Sequence, residues 1–152
     1  LLDPNFFACI EWKELARQLI DSKAWADFSQ GCDIRIMTEE KISFLQRMKI
    51  KQIHFAWDRY EDKEIIIPKF KDFKRLTGWD YRKMGVYILT NFNTTIEQDL
   101  ERIYILRDLG YSPYLMIFNK QEVPKGHTLR RMQRWTNSRI AFNAVKNFED
   151  FR

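Results

Sequence analysis

Polar side chains that could bind a small molecule follow each of four apolar runs in the sequence. In chain order they are Ser29, Gln30, Asp33 and Arg35, then Asp58 and Arg59, then Asn91, Asn93 and Thr94, and finally Asn119. Amides, carboxylates and a guanidinium suit the recognition of a polar metabolite that carries hydroxyl, amine and carboxylate groups. None of these side chains is a persuasive nucleophile. The sequence therefore predicts ligand binding at these positions rather than a self-contained catalytic centre.

The two cysteines add no clear chemistry to this set. Cys9 and Cys32 are too far apart for a CxxC motif and too few for a disulfide framework or a metal site. Cys32 is predicted to be a small buried or half-buried residue. His54 lies in the middle of an apolar run without a Cys or His at metal-ligand spacing, so we expect a core histidine and no metal site. The dinucleotide-binding, Walker A, HExxH, GxSxG and EF-hand patterns are absent.

The apolar runs predict the strands that must position these side chains. They are Ala24–Ser29, which is the weakest, Lys51–Asp58, Gly85–Phe92 and Pro113–Asn119. The runs are rich in Val, Ile, Tyr and Phe and carry few charges, which is typical of parallel strands buried on both faces. Their centres lie about 25 to 35 residues apart, the size of a βα repeat.

The segments between the runs predict helices with identifiable starts. Pro68 suits the first turn of one helix. The next helix has two overlapping capping boxes, Thr94 with Glu97 and Thr95 with Gln98, and the sequence does not decide between them.

Alternation of strand and helix with short loops predicts parallel strands joined by right-handed crossovers. Four βα repeats are too few to close a barrel, so the expected fold class is α/β, with a parallel sheet arranged as an open, partial TIM-like barrel. No linker divides the chain, and residues 1–152 are expected to form a single domain. Because the loops at the carboxyl ends of parallel strands carry the sites of such folds, the polar residues should share one rim.

The first residues extend this interpretation. Leu1 and Leu2 precede Asp3 and Asn5 in the way that a strand precedes a polar turn. We therefore expect the chain to begin inside a strand, as a fragment without its amino-terminal part, and Asn5 to lie on the same rim.

Three stretches resemble the radical SAM enzymes, specifically the later strands of their partial (βα)6 barrel. "LLDPNFFA" resembles a strand that ends in an Asp-Asp-Asn-Phe type of turn. Residues 27–64 are similar to a strand, an Arg-containing loop and a helix that lead to a strand ending in Gly-x-Glu, with Ala56-Trp57-Asp58 in that last place. "YILTNFNTTIEQDLERI" is similar to a strand, a Gly-x-Pro-Gly-x-Thr loop and an acidic helix start, with Asn and Thr in place of Gly and Pro. The Cys-x3-Cys-x2-Cys motif is missing; in the family it follows the first strand, upstream of these stretches.

The resemblance implies a function for the full-length protein. It would cleave S-adenosylmethionine with a [4Fe-4S] cluster to a 5′-deoxyadenosyl radical, which abstracts hydrogen from an unknown substrate. The residues expected near S-adenosylmethionine are Gln30, Asp33, Arg35, Asp58 and Asn91, and those expected near the substrate are Asn5, Asn93 and Asn119. The fragment alone is expected to be inactive and to hold neither the cluster nor the cofactor.

Two other functions remain open from the residues themselves. The formal charge of +5 and the basic stretch Leu129–Arg134 favour a nucleic-acid-binding α/β module, in which Arg130, Arg131 and Arg134 contact phosphates and Trp135 stacks on a base. Such stretches are more often solvated helix faces. A small-molecule enzyme that uses the Asp and Asn rim without a cluster is the third alternative, although no acid–base pair stands out.

Composition limits the setting of the protein. No run approaches the roughly 20 apolar residues that span a bilayer, and no secretory signal is visible, so neither a membrane nor a secreted location is expected. Two cysteines without a disulfide framework favour the reducing cytoplasm. An unclosed sheet edge would favour a homo-oligomer, because an exposed edge strand can pair with a second copy.

Overall fold

Residues 5–152 are described by the computed structural model, and a four-stranded parallel sheet lies at their centre. The strands are β1 Trp25–Cys32, β2 Lys49–Ala56, β3 Met84–Thr90 and β4 Ser112–Ile117. They lie in the order β1-β2-β3-β4, and each neighbouring pair is parallel. The predicted α/β fold, with βα repeats around an open, partial barrel, is confirmed. The expected strand at Leu1 and Leu2 lies outside the described residues.

Six α-helices are described, and three of them connect successive strands. They are α1 Trp12–Ser22, α2 Glu39–Arg47, α3 Lys63–Thr77, α4 Ile96–Asp108, α5 Thr128–Asn137 and α6 Arg139–Ala144. Because the strands follow one another in sequence order and crossovers are right-handed, α2, α3 and α4 lie on the same side of the sheet. None of the helices within residues 5–152 combines the length and the apolar character that a bilayer crossing requires.

The sheet is covered on one face only. Side chains on the covered face are fully buried, and they include Phe28, Ile53, Val86 and Leu115. Side chains on the opposite face, which we call the open face, are half-buried or exposed, and they include Ser29, His54, Tyr87 and Tyr114. The prediction that the strands are buried on both faces is therefore wrong. The strand order places all three crossovers on one side and leaves the other side without a covering layer.

A buried charged cluster fixes α4 to the sheet. Asp99 and Arg102 are both inaccessible to solvent and form an ion pair. The Arg102 guanidinium also donates to the Trp57 carbonyl at 2.6 Å and to the Leu89 carbonyl at 2.8 Å. The Thr90 hydroxyl donates to the Asp99 carboxylate. This cluster holds α4 against the carboxyl ends of β2 and β3, where a site is expected.

The observed starts of α4 and α3 test the two helix starts predicted from the sequence. Thr95 and Gln98 form the capping box of α4, so the second of the two alternatives is confirmed. Pro68 lies inside α3, and its predicted place in a first turn is wrong. The helix begins earlier, at Lys63, because Ile66 must reach the core and is only 3% exposed. The cost is the single backbone hydrogen bond that proline cannot donate.

Helix α5 covers part of the outer edge of β4. The Asn137 side chain accepts a hydrogen bond from the Leu115 N–H at 2.7 Å and donates one to the Leu115 carbonyl at 3.0 Å. The Gln133 amide donates to the same carbonyl at 2.9 Å. Side chains therefore satisfy the backbone groups that an additional strand would otherwise bind.

Candidate functional site

A wide cavity of about 770 Å³ lies on the open face. All four strands or the loops that follow them contribute to it. Its lining consists of Ser29, Gln30, Gly31, His54, Ala56, Asp58, Tyr87, Tyr114 and Met116. A cavity near the carboxyl ends of parallel strands is the usual place for a ligand in an open α/β sheet.

Two stacked rings form the floor of this open-face cavity. The His54 and Tyr87 rings are nearly parallel, with centroids 4.9 Å apart and an interplanar angle of 6°. The Tyr87 hydroxyl donates to the Ser29 carbonyl at 2.8 Å, and His54 Nδ1 lies 3.2 Å from the Phe28 carbonyl. Because a carbonyl only accepts, Nδ1 is the donor in this contact. The prediction that His54 belongs to the core is wrong, since its side chain lies on the uncovered side of the sheet.

Small residues allow the rings to lie flat on the strands. Gly85 is the register partner of His54, and a Cβ atom at Gly85 would come within 2.5 Å of His54 Cδ2. A Cβ atom at Gly31 would lie 3.0 Å from the Ala56 Cβ and 3.5 Å from Tyr87 Cδ2. The two glycines therefore leave the space that the ring pair occupies.

Asp58 supplies the carboxylate of the cavity. Desolvation raises the pKa of Asp58 above its ordinary value, although the charge of Arg102 and a hydrogen bond from the Leu89 backbone oppose this shift. Arg102 also donates to the Asp58 carbonyl at 3.2 Å, so the buried cluster under α4 positions this residue. A partly desolvated carboxylate at the rim is suited to accept hydrogen bonds from an amine or a hydroxyl of a ligand.

The five residues predicted to bind the cofactor separate into three groups. Gln30 and Asp58 line the open-face cavity. Asp33 and Arg35 form an ion pair at 2.8 Å, and Arg35 also reaches Asp62 at 3.3 Å. Burial raises the pKa of Asp33, but hydrogen bonds from the side chain and backbone of Arg35 outweigh it and leave the pKa below its ordinary value. Arg35 is exposed beside the carboxyl end of β1, outside the lining of the cavity.

The fifth cofactor residue, Asn91, and the other predicted asparagines lie outside the cavity lining. Asn91 and Asn119 follow β3 and β4 in the left-handed conformation, with φ of 64° and 48°. The Asn91 amide donates to the Phe118 carbonyl at 3.1 Å and so joins the ends of the two strands. Asn93 is exposed in the loop after β3, and Asn5 precedes the short 3-10 helix Phe6–Ala8. Asn91 and Asn119 therefore turn the chain, a role that asparagine tolerates better than most residues.

Three residues of the cavity are not among the predicted site residues. They are Tyr87, Tyr114 and Met116, which lie in strands that the sequence predicts to be buried on both faces. The signal that could have found Tyr87 is alternation: Gln52 and His54 of β2, and Gly85 and Tyr87 of β3, alternate with buried apolar residues. The exposed fractions of Tyr114 and Met116, 48% and 37%, show how open that side is.

The described residues do not fit a metal cluster. Within residues 5–152, no three His, Cys, Asp or Glu side chains are grouped in a way that could bind a metal ion. Cys32 is only 2% exposed, which confirms its prediction as a small buried residue, and the Cys9 thiol donates to the Glu11 carboxylate at 3.0 Å. We therefore derive no chemical step through an iron-sulfur cluster.

Two residues of the predicted nucleic-acid surface, Arg130 and Trp135, are occupied by local contacts. Trp135 is fully buried and donates to the Val145 carbonyl at 3.0 Å, so the predicted stacking of this ring on a base is wrong. Arg130 donates to the backbone carbonyls of Val123 and Lys120. The Trp135 ring points inward and packs against the rings of Tyr104, Phe142 and Phe148.

Comparison with known proteins gives no significant match. No protein family matches the chain, and neither a curated protein nor a solved structure is similar to it at a significant level. The function must therefore be argued from the fold and the open face.

Proposed function

We propose that this chain is the later part of a radical SAM-type barrel and that its open face forms part of the S-adenosylmethionine site. The observation that best supports the proposal is the one-sided sheet. Its helices cover one face, and four strands direct polar and aromatic side chains to the other face around a cavity of about 770 Å³. In a more complete barrel this face would be the interior.

The donors and acceptors of the open face fit the organic cofactor. Gln30 and Asp58 would bind the ribose hydroxyls or the amino group, and Arg35 would bind the carboxylate from the rim. The rings of His54 and Tyr87 offer a flat surface for the adenine base, since aromatic faces bind bases by stacking. When it is bound and reduced, S-adenosylmethionine supplies a 5′-deoxyadenosyl radical. The protein residues bind it, orient it and exclude water.

The proposal places the protein in the cytoplasm. A chain with two cysteines and no disulfide framework suits a reducing compartment.

The test begins with the coding sequence upstream of Leu1. We expect a Cys-x3-Cys-x2-Cys motif there. The protein extended to include it should form 5′-deoxyadenosine after anaerobic reconstitution with iron, sulfide and a reductant. Asp58→Asn and His54→Ala should each lower that rate, whereas Gln121→Ala, an exposed residue outside the cavity, should not. An upstream sequence without the three cysteines, or a stable cluster on residues 1–152 alone, would refute the proposal.

A further inference from the structure

A second cavity, of about 160 Å³, lies at the amino-terminal end of β4. Helices α4, α5 and α6 contribute to its walls. The polar residues of its lining include Tyr81, Arg107, Ser112, Thr136, Arg139 and Asn143. Two arginines and no Asp or Glu line it among the described residues, so we call it the arginine cavity. It shares only Tyr114 with the lining of the open-face cavity.

Arg107 is held by aromatic rings and backbone carbonyls, and Asp108 is the carboxylate whose charge acts on it. Its guanidinium carbon lies 3.6 Å from the centroid of the Phe142 ring and 4.9 Å from that of Trp135. It donates to the carbonyls of Phe142 and Lys146, which leaves several of its five N–H groups for another acceptor. No carboxylate of residues 5–152 lies within salt-bridge distance of it. Desolvation lowers the pKa of Arg107, but a guanidinium stays protonated.

Arg139 provides the second cation. Its guanidinium lies 5.1 Å from the centroid of the Tyr81 ring. No hydrogen bond or ion pair joins its side chain to any residue in the described range. All its donors are therefore available to a ligand in the cavity.

Thr136 lines the same cavity but offers no donor at its surface. The residue is only 3% exposed, and its Oγ1 atom is inaccessible to solvent and has no hydrogen-bond partner among residues 5–152. The donors available to a ligand are therefore those of the two arginines.

We propose that the arginine cavity binds a tetrahedral oxyanion, either inorganic phosphate or the phosphate group of a phosphomonoester. Arg107 and Arg139 supply the charged donors. Arginine suits phosphate because its planar fork can donate two parallel hydrogen bonds. The volume of about 160 Å³ is smaller than the roughly 300 Å³ at which pockets for drug-sized ligands begin, so a single anionic group fits.

The surroundings of the cavity favour an anion. A neighbouring groove, which shares Tyr114 and Asn137 with the arginine cavity, is lined by Lys120, Lys125, Arg130 and Arg134. The positive potential of such a surface raises the local concentration of anions. The inference does not depend on the radical SAM proposal.

Calorimetric titration of the chain with inorganic phosphate and with ribose 5-phosphate, at constant ionic strength, tests this site. The unmodified chain should bind with saturation at one site. Arg139→Gln should weaken binding about tenfold, because a hydrogen-bonded charged donor is lost. Arg17→Gln removes the same charge from the exposed face of α1 and is the matched control.

The two ligands distinguish the sources of the anion. Equal affinities would identify a free anion as the ligand, and tighter binding of ribose 5-phosphate would identify an organic phosphate. The proposal is overturned if neither ligand binds with saturation, or if Arg17→Gln weakens binding as much as Arg139→Gln. Binding of a single-stranded oligonucleotide in the absence of binding by either small phosphate would also overturn it.

Discussion

The flat arrangement of the His54 and Tyr87 rings depends on two neighbouring glycines, which have no side chain. His54 and Tyr87 can lie against the strands because Gly85 and Gly31 have no side chain beneath or beside them. Because the His54 ring lies flat, it presents its face to the cavity. A ring that stood perpendicular to the sheet would fill the cavity. The glycines therefore shape the candidate site although they bind nothing themselves.

Gly85→Ala should destabilise the protein by about 1–3 kcal/mol, because overpacking of this size forces a ring or a strand to move. The added methyl group would meet His54 Cδ2 at 2.5 Å. Urea unfolding would measure the change in the free energy of unfolding. Gly126→Ala, where nothing lies within 4 Å, should change it by less than about 0.5 kcal/mol. Addition of His54→Ala should recover most of the loss; a loss unaffected by the second substitution would show that the ring is not the cause.

Local sequence predicts the environment of some residues correctly and that of others wrongly. The Thr95–Gln98 capping box and the burial of Cys32 follow from neighbouring residues or from residue type. His54 was placed in the core because its neighbours in the chain are apolar. Its real position depends on which face of the sheet the helices cover, and no short stretch of sequence contains that information.

Two helices bind the edges of the sheet through side-chain hydrogen bonds: α4 at the carboxyl ends of β2 and β3, and α5 at the outer edge of β4. Arg102 of α4 satisfies carbonyls at the ends of β2 and β3, and Asn137 of α5 satisfies both backbone groups of Leu115. The βα repeats predicted the helices and their order. These contacts join residues that are 13 to 45 positions apart, and periodicity does not reveal them. The predicted homo-oligomer through an exposed edge would therefore have less of β4 available to it.

Asn137→Ala should uncover the edge of β4 at its centre. The Leu115 N–H would lose its partner, and the unfolding free energy should fall by about 1–3 kcal/mol, the cost of an unsatisfied buried group. An exposed strand edge also pairs with other chains, so sedimentation velocity should show more self-association than for the unmodified chain. Asn93→Ala, an exposed asparagine in a loop, is the control and should change neither property. An Asn137→Ala chain that stays monomeric and equally stable would contradict the role assigned to α5.

For the whole molecule, strand order decides where ligands can reach the sheet. Four strands in sequence order put the connecting helices on one side, so the open face follows from the topology rather than from any motif. The sequence predicted the parallel sheet and the partial barrel from the spacing of its apolar runs. It did not predict the arginine cavity, because that site combines α4, α5, α6 and the start of β4, which are brought together only by folding.

The distribution of positive charge leads to a prediction about nucleic acid, the alternative function of the whole molecule. The groove beside α5 offers Lys120, Lys125 and Arg134 to phosphates, while Arg130 is held by backbone carbonyls and Trp135 is buried. Three contacts to a single strand correspond to a slope of log affinity against log salt of about −2, at about −0.7 per phosphate.

Fluorescence anisotropy of a labelled single-stranded oligonucleotide across a salt series would measure this slope. We expect weak binding with that shallow dependence, and its loss in a Lys120→Gln, Lys125→Gln, Arg134→Gln chain. The same number of charges removed from α3, by Lys69→Gln, Lys71→Gln and Arg75→Gln, should have a smaller effect. A slope near −5 would require phosphate contacts beyond this groove and would favour the nucleic-acid function, because three side chains cannot release that many counterions.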